Sequence, residues 1–239
     1  LQEVYEYVEK HILIFHQRRL DYVQNKVDLL KILKQKNPYL FRAKNVLTAQ
    51  DLIKGFLDAF LQSQEETLFG DFIEGLAIFV CDKVYGAKKS ELTGIDLEFE
   101  KDGVMYVVEI KAGWNWGNSS QIRQLNINFE SAKKLMLAKT GKKVVAVNGC
   151  CFGKDNKPDK GGYLKLCGQR FWELISGNEN LYIDIIEPIG YKAREKNDEF
   201  AENYAQIINK LTLEFSQKFC DDGKINWGKL VEYNSGFEK

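Results

Sequence analysis

Two carboxylates and an amine stand on either side of a short turn in this sequence: Asp96, then Glu109 and, two residues on, Lys111. Ile95, Leu97 and Phe99 alternate with Asp96, Glu98 and Glu100, and after Lys101-Asp102-Gly103 comes the run from Val104 to Lys111. Alternating residues on both sides of Asp-Gly predict a β-hairpin with a two-residue type I′ turn, because both central positions need positive φ. That turn fixes the register. Lys101 pairs with Val104, Phe99 with Tyr106 and Leu97 with Val108, so Asp96 falls opposite Glu109. Ile95, Leu97, Phe99, Val104, Tyr106, Val108 and Ile110 are then expected on the other, apolar face.

Carboxylates directly across a ladder, about 5 Å apart at Cβ, repel one another unless a cation lies between them. A divalent metal resolves the conflict. Lys111 projects from the same face as Glu109, close enough to position a water or neutralise charge at a scissile phosphate. The available ligands are oxygens and neither His11 nor His16 is near in sequence, so Mg²⁺ is the expected ion. A solvated strand face explains the same residues, since Glu98 and Glu100 already make it acidic. Glu98 is also an alternative ligand to Asp96, although its register partner is Val107.

Gly94-Ile95-Asp96, the turn and Val108-Glu109-Ile110-Lys111 together resemble the PD-(D/E)xK nuclease signature, with Ile95 where a Pro is usual. The segments from Ala112 to Gln121 and from Cys167 to Gly177 are similar to type II restriction endonucleases, in particular the group cutting degenerate sites centred on GGNCC. The resemblance spans roughly residues 37–188. It implies a restriction-endonuclease-like fold and a homodimer that cuts both strands of double-stranded DNA with Mg²⁺, leaving 5′-phosphate and 3′-hydroxyl ends. Asp96 and Glu109 would hold the metal with the backbone carbonyl of Ile110, and Lys111 would orient or activate the attacking water. A helical Glu upstream of the sheet completes the metal site in related nucleases, which points to Glu74, with Asp71 as the weaker substitute. An exposed or salt-bridged helical acid is the plainer reading of Glu74.

Contacts to DNA are sought among polar residues downstream. Asn118 with Gln121 reads as a helix start, where Ser119 and Ser120 add hydroxyls beside free N–H groups that attract a phosphate. Arg123, Gln124 and Asn128 continue that face with groups able to meet base edges or the backbone; capping and a solvated face explain the same residues, and for Asn128 that is the preferred reading. Lys154, Lys157, Lys160 and Lys165 sit in a Gly-rich stretch that suits a DNA-contacting loop or merely a mobile one. Arg170 suits base contact or a structural ion pair. Trp114 and Trp116 suit stacking near DNA, or anchoring in a core or dimer interface.

These residues need a scaffold. The 239 residues are 44% hydrophobic and 13% aromatic, enough for one sizeable core. The charge balances at 34 basic and 34 acidic residues, without the basic excess of many nucleic-acid binders. Its distribution is uneven: residues 58–100 hold ten acids and three bases, whereas residues 119–170 hold eleven bases and three acids. Five cysteines without CxxC spacing fit a reducing cytoplasm rather than a zinc site or disulfide framework. No long apolar run or signal-like start argues for a membrane or export. A start at Leu1 rather than Met suggests a trimmed N-terminus.

Helical spacing is expected from Leu1 to about Gln35, ending at Pro38. A helix capped by Thr48 with Asp51 carries Leu52, Phe56 and Phe60, and a further helix runs from about Thr67 to Val84. After the hairpin come a helix from Asn118 to Lys139, a strand from Lys143 to Val147, a loop, a helix from Gln169 to Ile175 and a strand from Leu181 to Ile186. A long amphipathic helix with Phe200, Tyr204, Ile207, Leu211, Phe215 and Phe219 on one stripe closes the pattern. The expected architecture is α/β, a mixed central sheet flanked by helices in a single nuclease domain of residues 1–239. Residues 1–36 form a helical extension, 37–190 the catalytic core and 191–239 a helical C-terminal region. Two rival readings stand beside restriction: another nuclease of this fold, in repair or junction resolution, and a non-catalytic nucleic-acid-binding module.

Overall fold

Helix starts in the computed structural model, which describes residues 2–237, follow caps written in the sequence. Helix α1 covers Gln2–Asn25 and α2 covers Leu29–Gln35, where the Asp28 side chain accepts from the Lys31 amide; the expected start at Leu1 lies outside the described residues. Pro38 does not merely end this stretch. It opens α3, Pro38–Ala43, because the first helical position needs no N–H and Asn37 caps the amides of Tyr39 and Leu40.

Helix α4, Ala49–Tyr85, begins where the Asp51 amide donates to Thr48 Oγ1 at 3.0 Å. The two helices expected between Thr48 and Val84 are one continuous helix of 37 residues. The joining segment Leu61-Gln62-Ser63-Gln64-Glu65-Glu66 contains no breaker, and Gln62 donates to Glu66 one turn on.

A five-stranded sheet follows, in the order β1-β2-β3-β4-β5. Strands β1 (Lys88–Lys89), β2 (Leu97–Lys101) and β3 (Val104–Gly113) are antiparallel neighbours, whereas β3, β4 (Val144–Phe152) and β5 (Leu164–Cys167) run parallel. This is the expected mixed sheet flanked by helices. Helix α5, Ser119–Thr140, makes the crossover from β3 to β4 and packs Leu125, Phe129, Ala132 and Met136 on Val107 and Ala146. Helix α6, Gln169–Ser176, follows β5, whose four residues are too short to stand out within the expected loop.

The strand expected from Leu181 to Ile186 is absent. Two short helices, α7 (Leu181–Asp184) and α8 (Ile186–Ile189), take its place. Leu181, Ile185 and Pro188 are buried at helical spacing, while Ile183 and Ile186 are exposed. Helix α9, Ala193–Phe219, a short β6–β7 hairpin (Cys220–Asp221 and Lys224–Ile225) and α10, Trp227–Ser235, complete the chain. Phe200, Leu211, Phe215 and Phe219 of the expected α9 stripe are buried, joined by Ile208.

The chain divides into two compact units: residues 1–12 with 69–191, and residues 13–68 with 192–239. The first contains the whole five-stranded sheet. The second is mainly helical, built around Leu33, Leu52, Phe56, Leu57 and Phe215, with an ion pair between Arg19 and Glu65. Among the described residues, no helix is long and apolar enough to cross a membrane.

Candidate functional site

Asp102 and Gly103 both have positive φ, 52° and 76°, as a type I′ turn requires. The register therefore runs Lys101 with Val104, Phe99 with Tyr106 and Leu97 with Val108. The paired register stops there, and Asp96 is not a ladder partner of Glu109. The Asp96 amide donates to the Val108 carbonyl at 2.9 Å and its carbonyl accepts from the Ser90 amide at 3.1 Å. The Asp96 carboxylate reaches across to β3, where Oδ2 accepts the Ile110 amide at 2.6 Å.

Ile95 departs from the expected apolar face. It packs with Val107, Leu125 and Phe129 on the opposite side, because the ladder ends at Leu97 and the alternation breaks at Asp96, whose amide bonds to Val108, the partner of Leu97. Gly94 has φ of 70°, and a Cβ there would stand 2.0 Å from Nδ2 of Asn128. The amide of Asn128 thus fills the space that a side chain before Ile95-Asp96 would need.

Glu109 is held on β3, and its Oε1 lies 2.8 Å from Lys111 Nζ. Its other oxygen, Oε2, is buried with no hydrogen-bond partner. Burial pushes the Glu109 carboxyl above the usual carboxylate range; Lys111 opposes the shift and the charge of Asp96 adds to it. Glu74, on α4, is raised in the same direction, first by burial and then by Asp96, with Lys89 and Lys111 opposing and Asp71 adding. Asp96 and Lys111 are thus the charges that both glutamates feel, in opposite directions. Glu98 stands apart, paired with Val107 in register and accepting from Ser90 Oγ at 3.4 Å.

An oxygen-only set with an unpartnered buried carboxylate oxygen fits a hard divalent cation. Among the described residues, no group of three or more His, Cys, Asp or Glu side chains is assembled to hold a metal. The ready oxygens are those of Asp96 and Glu109, and Glu74 stands as an electrostatic neighbour.

Residues 2–197 match the family model for the type II restriction endonuclease EcoO109I. The chain belongs to this restriction endonuclease family. The match extends beyond the 37–188 span of the resemblance at both ends and covers the entire five-stranded sheet. No curated protein gives a significant match.

The remaining candidates of this restriction endonuclease family member divide by how their polar atoms are used. Asn118 and Gln121 form a reciprocal capping box at α5, with Asn118 accepting from the Ser120 and Gln121 amides and Gln121 accepting from the Asn118 amide. Ser120 donates its hydroxyl to Asn118 at 2.6 Å, and Gln124 donates to Asn128 at 2.9 Å. Ser119 and Arg123 are exposed. Lys160 pairs with Asp155 at 2.9 Å. Lys165 belongs to β5 rather than a loop, and donates to the Trp114 carbonyl at 2.7 Å. Lys154 and Arg170 line one cavity of about 510 Å³, beyond the C-terminal ends of β4 and β5, together with Asn156, Gln169 and Tyr182.

Asn148 has no place among the sequence candidates, yet it is the one polar side chain fully buried among the described residues. It lies beside Glu109 in the parallel register of β3 and β4. The available signal was a lone amide in the run Val144-Val145-Ala146-Val147-Asn148-Gly149.

Proposed function

We propose that this protein is a Mg²⁺-dependent, sequence-specific endonuclease that hydrolyses phosphodiester bonds of double-stranded DNA, acting as a homodimer in the cytoplasm. The observation that carries the reading is the gathering of charge at the open end of the hairpin: Asp96 accepts the Ile110 amide and acts on Glu109 through its charge, Glu109 keeps one buried oxygen unpartnered, and Lys111 stands 2.8 Å from the other. Membership of a type II restriction endonuclease family supports the substrate and the site-specific action.

Asp96 and Glu109, with the Ile110 carbonyl, would hold the ion, and Glu74, which feels the charge of Asp96, is the additional carboxylate proposed. When bound there, Mg²⁺ supplies Lewis-acid stabilisation of charge on a phosphoryl oxygen. The Ile110 amide fixes Asp96, so the carboxylate does not need to be ordered during the reaction. Lys111 presents its ammonium donors to a phosphate oxygen or to the attacking water. Water adds to phosphorus in line, the bond to the 3′-oxygen breaks, and that oxygen takes a proton, leaving 5′-phosphate and 3′-hydroxyl ends.

Lys154 and Arg170 are the cations proposed to meet the DNA backbone, with Ser119, Ser120 and Arg123 at the exposed start of α5. Lys160, Asn118, Gln121 and Gln124 would have to exchange an internal partner for a DNA contact. The target proposed is a degenerate site centred on GGNCC. Plasmid DNA incubated with the protein and Mg²⁺ should give discrete bands ending in 5′-phosphates; a smear, or cutting confined to branched DNA, would sink the assignment to restriction.

A further inference from the structure

A buried amide needs partners, and each polar atom of Asn148 has one. Oδ1 accepts the indole N–H of Trp116 at 3.0 Å and lies 3.7 Å from the Cys150 thiol, while Nδ2 donates to the Glu109 carbonyl at 3.4 Å. Asn148 therefore ties the backbone of the Glu109 strand to an indole carried by the loop between β3 and α5. Trp116 in turn places its ring 5.0 Å from Lys111 Nζ, within the range at which an aromatic face attracts an ammonium.

We propose that Asn148 and Trp116 are positioning residues for the Lys111 ammonium. The buried amide sets the plane of the indole, and the indole face with Glu109 sets where the ammonium stands. A lysine side chain is a flexible stem, and an ion pair with Glu109 alone would leave its direction loosely determined. The second contact, against a ring that is itself hydrogen-bonded, restricts the ammonium before DNA arrives. The proposal rests on the reading of Lys111 as part of the cleavage centre.

Trp116→Leu, Trp116→Phe, Asn148→Ser and Lys111→Ala test it by two measurements, the single-turnover cleavage rate with Mg²⁺ and DNA affinity without divalent ion. Trp116→Leu should slow cleavage by about 10²-fold, the scale of a misplaced reacting group, with affinity unchanged. Trp116→Phe keeps an aromatic face and should recover most of the rate. Equal impairment of the Leu and Phe variants, a wild-type rate in Trp116→Leu, or a rate loss matched by lost affinity would overturn the proposal. A readout without activity is the ¹H–¹⁵N indole resonance of Trp116, identified by its loss in Trp116→Phe. It should move in both Lys111→Ala and Asn148→Ser, and an unmoved resonance in either contradicts the contact chain. Should Asn148→Ser fail to fold, the Trp116 pair and the Lys111→Ala resonance decide. Wild-type cleavage by Lys111→Ala overturns the cleavage-centre reading itself, which is distinguishable from failure of the Trp116 variants alone.

Discussion

The Ile110 amide donates to the Asp96 carboxylate across 2.6 Å, which ties the two strands of the hairpin at the end where the charged residues gather. This bond places a fixed negative charge beside Glu109, whose Oε2 is buried and unpartnered. Lys111 offsets part of that charge at the other oxygen, and a divalent cation at Oε2 would offset more.

Added Mg²⁺ should therefore raise the melting temperature of the DNA-free protein, and a chelator should reverse the gain. Ion at a hundred times its dissociation constant would contribute about 2.7 kcal/mol. Asp96→Asn and Glu109→Gln should each remove the dependence. Thermal melts over a Mg²⁺ titration check this, and an equal shift in all three proteins would show that the ion binds elsewhere.

Stability of the metal-free protein should depend on pH through Glu109. Its folded carboxyl binds a proton more tightly than the unfolded one, mainly because of burial. Between the two values the folded state holds the proton and the unfolded state has lost it, so stability falls as pH rises through that window. The penalty is fully present above the folded value and absent below the ordinary value of 4.5. Glu109→Gln should raise the melting temperature near neutral pH, with the gain shrinking towards acid. A gain independent of pH would contradict this origin.

Gly94→Ala should cost about 1–2 kcal/mol from positive φ alone. It should also slow cleavage, because the new methyl would displace the Asn128 amide at the entry to Asp96. Denaturant unfolding and cleavage rates measured together check both effects. Unchanged values would show that the strand entry tolerates a Cβ.

Removal of a phosphate contact weakens binding uniformly and flattens its salt dependence. Lys154→Ala and Arg170→Ala should each reduce the slope of log affinity against log salt by about one. Filter binding or anisotropy at several salt concentrations measures it. Unchanged slopes would place the DNA away from the cavity beyond β4 and β5.

The hairpin was legible because its information is local: Asp102-Gly103 selects a turn, and the turn selects the register from Lys101 with Val104 to Leu97 with Val108. The nearness of Asp96 to Glu109 does not come from that register, which ends at Leu97, but from the Asp96 carboxylate reaching the Ile110 amide. The capping box of Asn118 with Gln121 was legible because it too is local. Asn148 was not, since its partnership with Glu109 depends on a parallel pairing made across the α5 crossover, and no local pattern encodes that register. The segment from Leu181 misled because its apolar residues fit alternation over a few positions, and only burial of Leu181, Ile185 and Pro188 reveals the helical period. Glu74 could be placed on α4, but its electrostatic link to Asp96 comes from packing between that helix and the sheet.

The central claim is that Asp96 belongs to a cleavage centre rather than to a solvated strand face, and Asp96→Asn tests it most directly. Single-turnover cleavage with Mg²⁺ should fall at least about 10²-fold, the scale of removing a group that stabilises transition-state charge. DNA affinity should be unchanged or tighter, because one repulsive charge is gone. Lost cutting with retained binding is the predicted result; cleavage at the wild-type rate would contradict the account.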